Sequence, residues 1–351
     1  MFAKELIYIF EILTDMNVLY DSFTKCTDNV DWKCSVQKYE YNILQNLKKL
    51  RESLLNGTYK PNKYTEFYVS ERGKKRKIDA PSFNDKVLYR AVCDYILEPV
   101  LSRYMIYKNG ASIKGKGVGF SRENLDKDLM SYYRENGNVG YILISDYRKF
   151  FESIPHDKLI ESLKKCIRDE KVINLLKDII YSFNDDGVGL AIGCSPSQLF
   201  GSFYPTPVDN YCTNVEGCER YARHMDDFYV IHEDKEFLKT LLLSIEEISG
   251  KLGLSLNKKK TQICRIDKGF VFLKQYIFIT DSGKIVHKPY KKNITRERRK
   301  LKSFKNKLDL GSMDIVDIEK CYGSWRGSIE KFDTHHIIYN MDNLYNNLFN
   351  N

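Results

Sequence analysis

With 351 residues, 42% of them hydrophobic and 13% aromatic, the chain is long enough to bury a sizeable core and too apolar for a disordered segment. Its 56 Lys and Arg against 47 Asp and Glu leave a formal charge of +9, which favours a polyanionic partner but also fits plain solubility. Nine scattered cysteines without a Cys-x-x-Cys pair argue against a disulfide framework, and Cys212, Cys218 and His224 lack the spacing and the fourth ligand of a zinc site. No apolar run approaches the ~18 residues that span a bilayer, so the expectation is a cytoplasmic protein with no membrane partner.

In chain order, residues 1–60 read as helices: Leu6, Phe10 and Leu13 recur on one face, and 38–55 repeats apolar positions at helical spacing before Asn56-Gly57. Segment 64–79 reads as a β-hairpin with a basic turn, and 84–106 as a helix leading into the Gly- and Lys-rich loop 109–119. Residues 122–136 are helical and polar. Residues 140–146 form a short buried strand that delivers Asp146 at its end. An amphipathic helix follows Pro155, a second spans 171–183, and Asn184-Asp185-Asp186-Gly187 is a turn. After the loop 189–198, an apolar helix runs from Leu199 to about Cys212. Residues 221–231 then read as a hairpin tipped by Asp226-Asp227. Helix 235–252 stops at Gly253; strands at 262–266 and 270–279 follow, with a turn at Asp281-Ser282-Gly283. From His287 to Lys307 there are ten Lys or Arg and one acid, Glu297, over Ile294, Leu301, Phe304 and Leu308, which describes a basic amphipathic helix.

An Asp-Asp pair is by itself a common turn dipeptide, and Asp185-Asp186 is read as that. Asp226-Asp227 differs because Asp146 also stands at a strand end. If the two strands are neighbours in one sheet, three carboxylates converge, and hard oxygen ligands without Cys or His select Mg²⁺ over zinc. Two Mg²⁺ ions roughly 3.5–4 Å apart serve phosphoryl transfer to a nucleic-acid 3′ end, where the chemistry needs positioning and charge more than covalent help.

The ordered segments resemble a reverse transcriptase over nearly the whole chain, of the group II intron and retron-like superfamily and most similar to the enzymes of diversity-generating retroelements. Thr58-Tyr59-Lys60-Pro61, Arg76-Lys77-Ile78 with Ala80-Pro81, and Leu97-Glu98-Pro99 resemble its fingers segments, and Lys114-Gly115-Lys116-Gly117 the loop after them. Ser145-Asp146 through Phe150-Phe151 resembles the first metal motif. Gly189-Leu190 through Ile192-Gly193 to Ser197-Gln198 resembles the loop that contacts template and nucleotide, and Met225-Asp226-Asp227 the second metal motif. Residues 254–261 resemble the lysine segment, and Ser324-Trp325-Arg326-Gly327 the thumb.

The resemblance implies an α+β right-hand polymerase: fingers and a ferredoxin-like palm over 1–282 (palm core about 140–157 and 187–282), and a basic helical thumb over 283–351. It implies that Asp146 and Asp226 ligate two Mg²⁺ ions, or Mn²⁺ in their place, with Asp227 in support and the Tyr147 carbonyl assisting. Phe151 takes the steric-gate position that favours deoxynucleotides. Arg76, with Lys77 or Lys86, grips the triphosphate; Ile192, Gly193 and Gln198 line the nucleotide site; Lys259 or Lys260 protonates pyrophosphate. Three departures stand out: His224 replaces the usual tyrosine, Ala191 a common proline, and Lys274 the glycine after Phe272-Leu273. Ile192 together with Gln198 points to the retroelement subgroup and to low fidelity. The implied function is RNA-directed DNA synthesis on an RNA template from a DNA or RNA primer with dNTPs, aided by an accessory protein or a cognate noncoding RNA. The alternatives are an antiphage or abortive-infection enzyme that uses a noncoding RNA or no template, and a non-catalytic RNA-binding protein.

Overall fold

The computed structural model describes residues 9–71 and 74–349, and its packing divides the chain into two compact units. The first takes the residues up to Ser121, Ser145–Tyr229 and Lys239–Thr261; the second takes Arg122–Ile144, Val230–Leu238 and the residues from Gln262 on. Leu6 and the basic hairpin tip at 72–73 lie outside the described residues.

In the first unit a 3-10 turn (Ile9–Thr14) precedes α1 (Met16–Thr27), α2 (Cys34–Tyr41) and α3 (Ile43–Leu55). Leu47, Leu50 and Leu54 recur at helical spacing on α3 and are all buried. The helix expected over 38–55 is broken at Asn42, whose non-helical backbone (φ −115°, ψ 34°) ends α2 and starts α3. Strands β1 (Thr65–Glu71) and β2 (Lys74–Ala80) form the antiparallel hairpin, with Val69 opposite Arg76 and Tyr68 opposite Lys77. Helix α4 (Phe83–Val92), capped by the Ser82 hydroxyl, passes through a π-helical turn (Cys93–Leu97) into α5 (Glu98–Leu101), so the helix ends earlier than 106. Phe23, Tyr39 and Phe83 lock α1, α2 and α4 together with ring centroids 5.0 to 6.1 Å apart.

The chain continues through α6 (Val118–Asn136), β3 (Tyr141–Asp146), α7 (Phe150–Ser153), α8 (His156–Cys166) and α9 (Glu170–Tyr181). The apolar helix expected from Leu199 begins at Ser195, and Pro205 and Pro207 divide it into α10 (Ser195–Phe203), α11 (Thr206–Asn210) and a π-helical turn (Tyr211–Val215). Then come β4 (Tyr221–His224), β5 (Asp227–His232), α12 (Lys235–Lys251) and β6 (Gln262–Arg265). A four-stranded sheet runs in the order β4-β5-β3-β6. The continuous apolar run Ile142-Leu143-Ile144 gives β3 the burial of a central strand and places Asp146 at its end.

The second unit contains the antiparallel sheet β7 (Phe270–Phe272), β8 (Gln275–Ile279) and β9 (Ile285–Pro289). Strand β9 lies partly inside the run read as a basic helix, because its lysine and histidine content hides the alternation. The β7–β8 turn holds Leu273 at φ 44° and Lys274 at φ 68°, so Lys274 adopts a left-handed backbone in which glycine meets no penalty. Helices α13 (Lys291–Asp309), α14 (Ile315–Ile329) and α15 (His335–Phe349) build their own core from Leu301, Ile318, Tyr322, Met341 and Tyr345, with Tyr322 and Tyr345 stacked at 4.6 Å. Trp325 stacks on Tyr322, and Arg326 pairs with Asp342. Among the described residues no helix is long and apolar enough to cross a membrane.

Candidate active site

The hairpin β4–β5 turns on two residues, Met225 and Asp226. Met225 has φ 59°, a region that clashes with a Cβ and that the first position of a II′-type hairpin turn demands. Asp226 therefore stands at the tip and Asp227 opens β5. Because β3 neighbours β5, Asp146 at the end of β3 joins them.

Asp146 is 2% exposed. One of its carboxylate oxygens, Oδ2, receives the ammonium of Lys260; the other, Oδ1, is buried with no hydrogen-bond partner. Burial first, and then the like charge of Asp146, push the Asp226 acid above the usual carboxylate range against the opposing pull of Lys260 and Arg76. For Lys260, burial alone works against the charge. The hydrogen bond to Asp146 and the charges of Asp146, Asp227 and Asp226 outweigh it and hold the ammonium more firmly protonated than an ordinary lysine.

The lysine segment reaches Asp146 because its backbone is laced to the end of β3. The Asn257 amide donates to the Asp146 carbonyl at 2.8 Å and the Arg148 amide to the Ser255 carbonyl at 2.8 Å, while the hydroxyls of Ser145 and Thr261 pair at 2.7 Å. Of the two candidate lysines this register brings Lys260 to the carboxylates. Lys259 is exposed, and its amide donates to Asn257 Oδ1.

Other predicted residues divide. The charge of Arg76 acts on Asp226. Phe151 packs edge to face on Phe150 at 5.5 Å, and both rings crowd Gly201 of α10 together with Met225: a Cβ on Gly201 would stand 3.3 Å from all three side chains. Phe151 thus flanks the turn that carries Asp226. The Tyr147 ring is buried, stacked on Phe150 at 5.4 Å, with its hydroxyl 3.4 Å from that of Ser249, which leaves its backbone carbonyl as the group it could offer a cation. Ile192 accepts from the Asp79 amide at 2.8 Å, and Gly193 packs against Ile78, so this loop backs the β1–β2 hairpin. Lys77 falls on the opposite face from Arg76, as strand alternation requires, and pairs with Glu66 at 2.6 Å. Lys86 is exposed on α4, its carbonyl accepting from Cys26 Sγ. Gln198 lines a cleft of about 570 Å³ with Arg90, Asp94, Ser112 and Lys114. The structure therefore brings Asp146, Asp226, Asp227, Lys260, Arg76 and Phe151 together, and leaves Lys77, Lys86 and Lys259 in other surroundings.

Among the described residues no three His, Cys, Asp or Glu side chains already form a metal cluster; Lys260 is what meets Asp146. The donor set still fits a hard cation. It consists of carboxylate oxygens, one of them buried and unsatisfied, and the proximity of Asp146 and Asp226 raises the proton affinity of the latter.

His224 was singled out in the sequence, but the residues around it and beneath the turn were not. His224 Nδ1 lies 2.9 Å from the Ser121 hydroxyl, and Gly110 runs so close that a Cβ there would collide with that hydroxyl. Arg223 and Asp209 are both fully buried and paired beneath the turn. The signal was present: an arginine between Ala222 and the tip of an apolar strand must find a buried carboxylate.

A family model described as "Reverse transcriptase (RNA-dependent DNA polymerase)" matches residues 59–300. Protein YkfC of Escherichia coli is 23% identical over 268 residues, 64% of this chain and 69% of its own length. The group II intron-encoded protein LtrA of Lactococcus lactis is 23% identical over 236 residues, 62% of this chain but only 37% of LtrA. Among solved structures, telomerase from Candida albicans in complex with a telomeric RNA fragment superposes with TM-score 0.53 at 13% identity over 89% of this chain and 59% of that one. Apo telomerase from Candida tropicalis gives 0.50 at 14% identity over 70% and 60%. The chain thus spans about a third to two thirds of these proteins, and the telomerase likeness supports the α+β right-hand polymerase fold alone.

Proposed function

Because the chain belongs to the reverse transcriptase (RNA-dependent DNA polymerase) family, we propose that it is an RNA-directed DNA polymerase that extends a DNA or RNA primer along an RNA template with dNTPs. The observation that carries this reading is the meeting of Asp146, Asp226 and Asp227 with Lys260 at one end of neighbouring strands. Asp146 and Asp226 would hold Mg²⁺, or Mn²⁺ in its place, with Asp227 and the Tyr147 carbonyl in support. Bound there, the ions supply charge stabilisation for the attacking hydroxyl and the leaving pyrophosphate. Lys260, released from Asp146, would lose the bond that holds its proton most firmly and become the ammonium that carries the proton pyrophosphate takes up. Arg76 offers a charged fork to the triphosphate. Phe151 bars a 2′-hydroxyl, and the basic face of α13 suits the duplex backbone.

Ile192 with Gln198 supports a role in a diversity-generating retroelement, and His224 in the tyrosine position supports altered fidelity. Neighbouring genes separate this role from antiphage defence: a variable target gene with a template repeat supports diversification, and a defence island or a cognate structured RNA supports the other. Primer extension with purified protein, poly-rA/oligo-dT, Mg²⁺ and dTTP tests the polymerase reading. Template-dependent extension is expected, and failure across several RNA templates and both metals would leave an RNA-binding role.

A further inference from the structure

Beneath the Met225-Asp226 turn lies a closed polar network whose members all belong to the first unit. Arg223 and Asp209 are fully buried, yet Arg223 directs its guanidinium to three places at once. Its Nε donates to Asp209 Oδ1 at 2.8 Å and its Nη2 to Asp209 Oδ2 at 2.5 Å; Nη2 also reaches the Ser202 carbonyl at 2.8 Å, and Nη1 the Met225 carbonyl at 3.0 Å. The Tyr221 hydroxyl donates to Asp209 Oδ1 at 2.6 Å. The Ser202 carbonyl accepts a second bond, from Asn109 Nδ2 at 3.1 Å, and the Ser202 hydroxyl donates to the Ala111 carbonyl at 2.8 Å. The Gly110 amide returns to the Arg223 carbonyl at 2.9 Å.

A buried ion pair is a poor source of stability, because the desolvation of two charges offsets most of their attraction. Its value here is geometric. Met225 carries a β-carbon in a left-handed conformation that such residues rarely adopt and that persists only where the surroundings determine it. The Met225 carbonyl is the peptide oxygen immediately before Asp226, and a planar, fixed fork on a buried carboxylate can hold it in one orientation where a flexible ammonium could not. Met225 Sδ packs beside Gly201, two rings from Phe150 and Phe151 closing the same space.

We propose that the buried Arg223–Asp209 pair is a positioning device that clamps the Met225 carbonyl and thereby fixes the turn presenting Asp226 to the cation. Arg223 and Asp209 are positioning residues: neither touches substrate. The inference rests on the polymerase reading of Asp226 and adds to it the group that sets the carboxylate's orientation. Losing the clamp frees the turn to relax from its left-handed backbone, and the cation then has to organise Asp226 itself on binding.

The test measures Mn²⁺ binding to the 351-residue chain by electron paramagnetic resonance, the Mg²⁺ dependence of single-nucleotide incorporation, and thermal unfolding. It is run on wild type, Arg223→Lys, Asp209→Asn and Tyr221→Phe. Tyr221→Phe removes one bond to Asp209 and keeps both charges, so it reports even if a variant with an uncompensated buried charge does not fold. For Arg223→Lys and Asp209→Asn the expected result is Mn²⁺ affinity and half-saturating Mg²⁺ poorer by at least about 5-fold, with kcat lower by about 10-fold or more; Tyr221→Phe shifts the same way by about 2-fold. A lowered melting temperature with unchanged Mn²⁺ affinity, Mg²⁺ half-point and kcat per folded molecule would overturn the clamp. Asp226→Ala in the same series separates the two failures. If it keeps wild-type incorporation, the polymerase reading of the site fails; if it abolishes incorporation while the network variants behave as wild type, only the clamp fails.

Discussion

Asp226-Asp227 and Asp185-Asp186 are the same dipeptide at two turns of one chain, and their surroundings give them different chemistry. Asp185 and Asp186 are exposed, follow Asn184, whose Oδ1 accepts from the Asp186 amide at 3.4 Å, and precede Gly187 at φ 70°, so water solvates the carboxylates and glycine takes the awkward backbone. At the other turn a methionine takes that backbone, Asp146 and Lys260 stand alongside, and burial raises the proton affinity of Asp226. At 226–227 the fold adds partial burial and a third carboxylate, which the dipeptide alone, specifying only a turn, does not.

This contrast can be broken by substitution, beginning at its strongest point. Asp146→Ala should lower nucleotide incorporation by at least about 10³-fold at saturating primer–template, measured by single-turnover extension, because it removes both the buried carboxylate proposed to hold the cation and the partner of Lys260. Lys260→Ala should lower the rate by about 10²-fold, and Lys259→Ala by no more than about 2-fold; equal losses would show that the register seen between 255–261 and the end of β3 does not select the proton donor. Phe151→Ala should erode discrimination between dTTP and UTP by about 10-fold or more, and an unchanged ratio would return Phe151 to a packing role.

The smallest effect is on stability. The Asp226 acid is raised in the folded state, so its ionised form works against folding once the pH exceeds that raised value, and the stability it supports at low pH is lost as the pH rises. Asp226→Asn should therefore raise the melting temperature in metal-free buffer at neutral pH. The gain should vanish below about pH 3.9, where the wild-type carboxyl is protonated in both states.

The three aspartates were legible because strand periodicity and turn chemistry are local: an apolar run ending in an acid, and two β-branched, aromatic stretches around a polar tip, can be read residue by residue. The separation of Arg76 from Lys77 was legible too, since adjacent strand residues face opposite ways, though the motif grouped them. The choice between Lys259 and Lys260 was not, because it depends on which amide of a loop bonds to the carbonyl of Asp146, more than a hundred residues away in sequence. Asn42 broke a helix whose apolar spacing looked continuous, and β9 was masked by basic side chains that left its alternation faint. Asp209 lay hidden inside a proline-rich apolar stretch, where only the need of Arg223 for a buried counter-charge marks it.

The most direct measurement sets the two dipeptides against each other. Single-nucleotide incorporation on poly-rA/oligo-dT is followed in a Mg²⁺ titration for wild type, Asp226→Asn and Asp186→Asn. Asp186→Asn is expected to match wild type in rate and in Mg²⁺ half-point, and Asp226→Asn to show no incorporation above background at any Mg²⁺ concentration. Wild-type incorporation by Asp226→Asn, or an equal loss in both variants, would contradict that expectation.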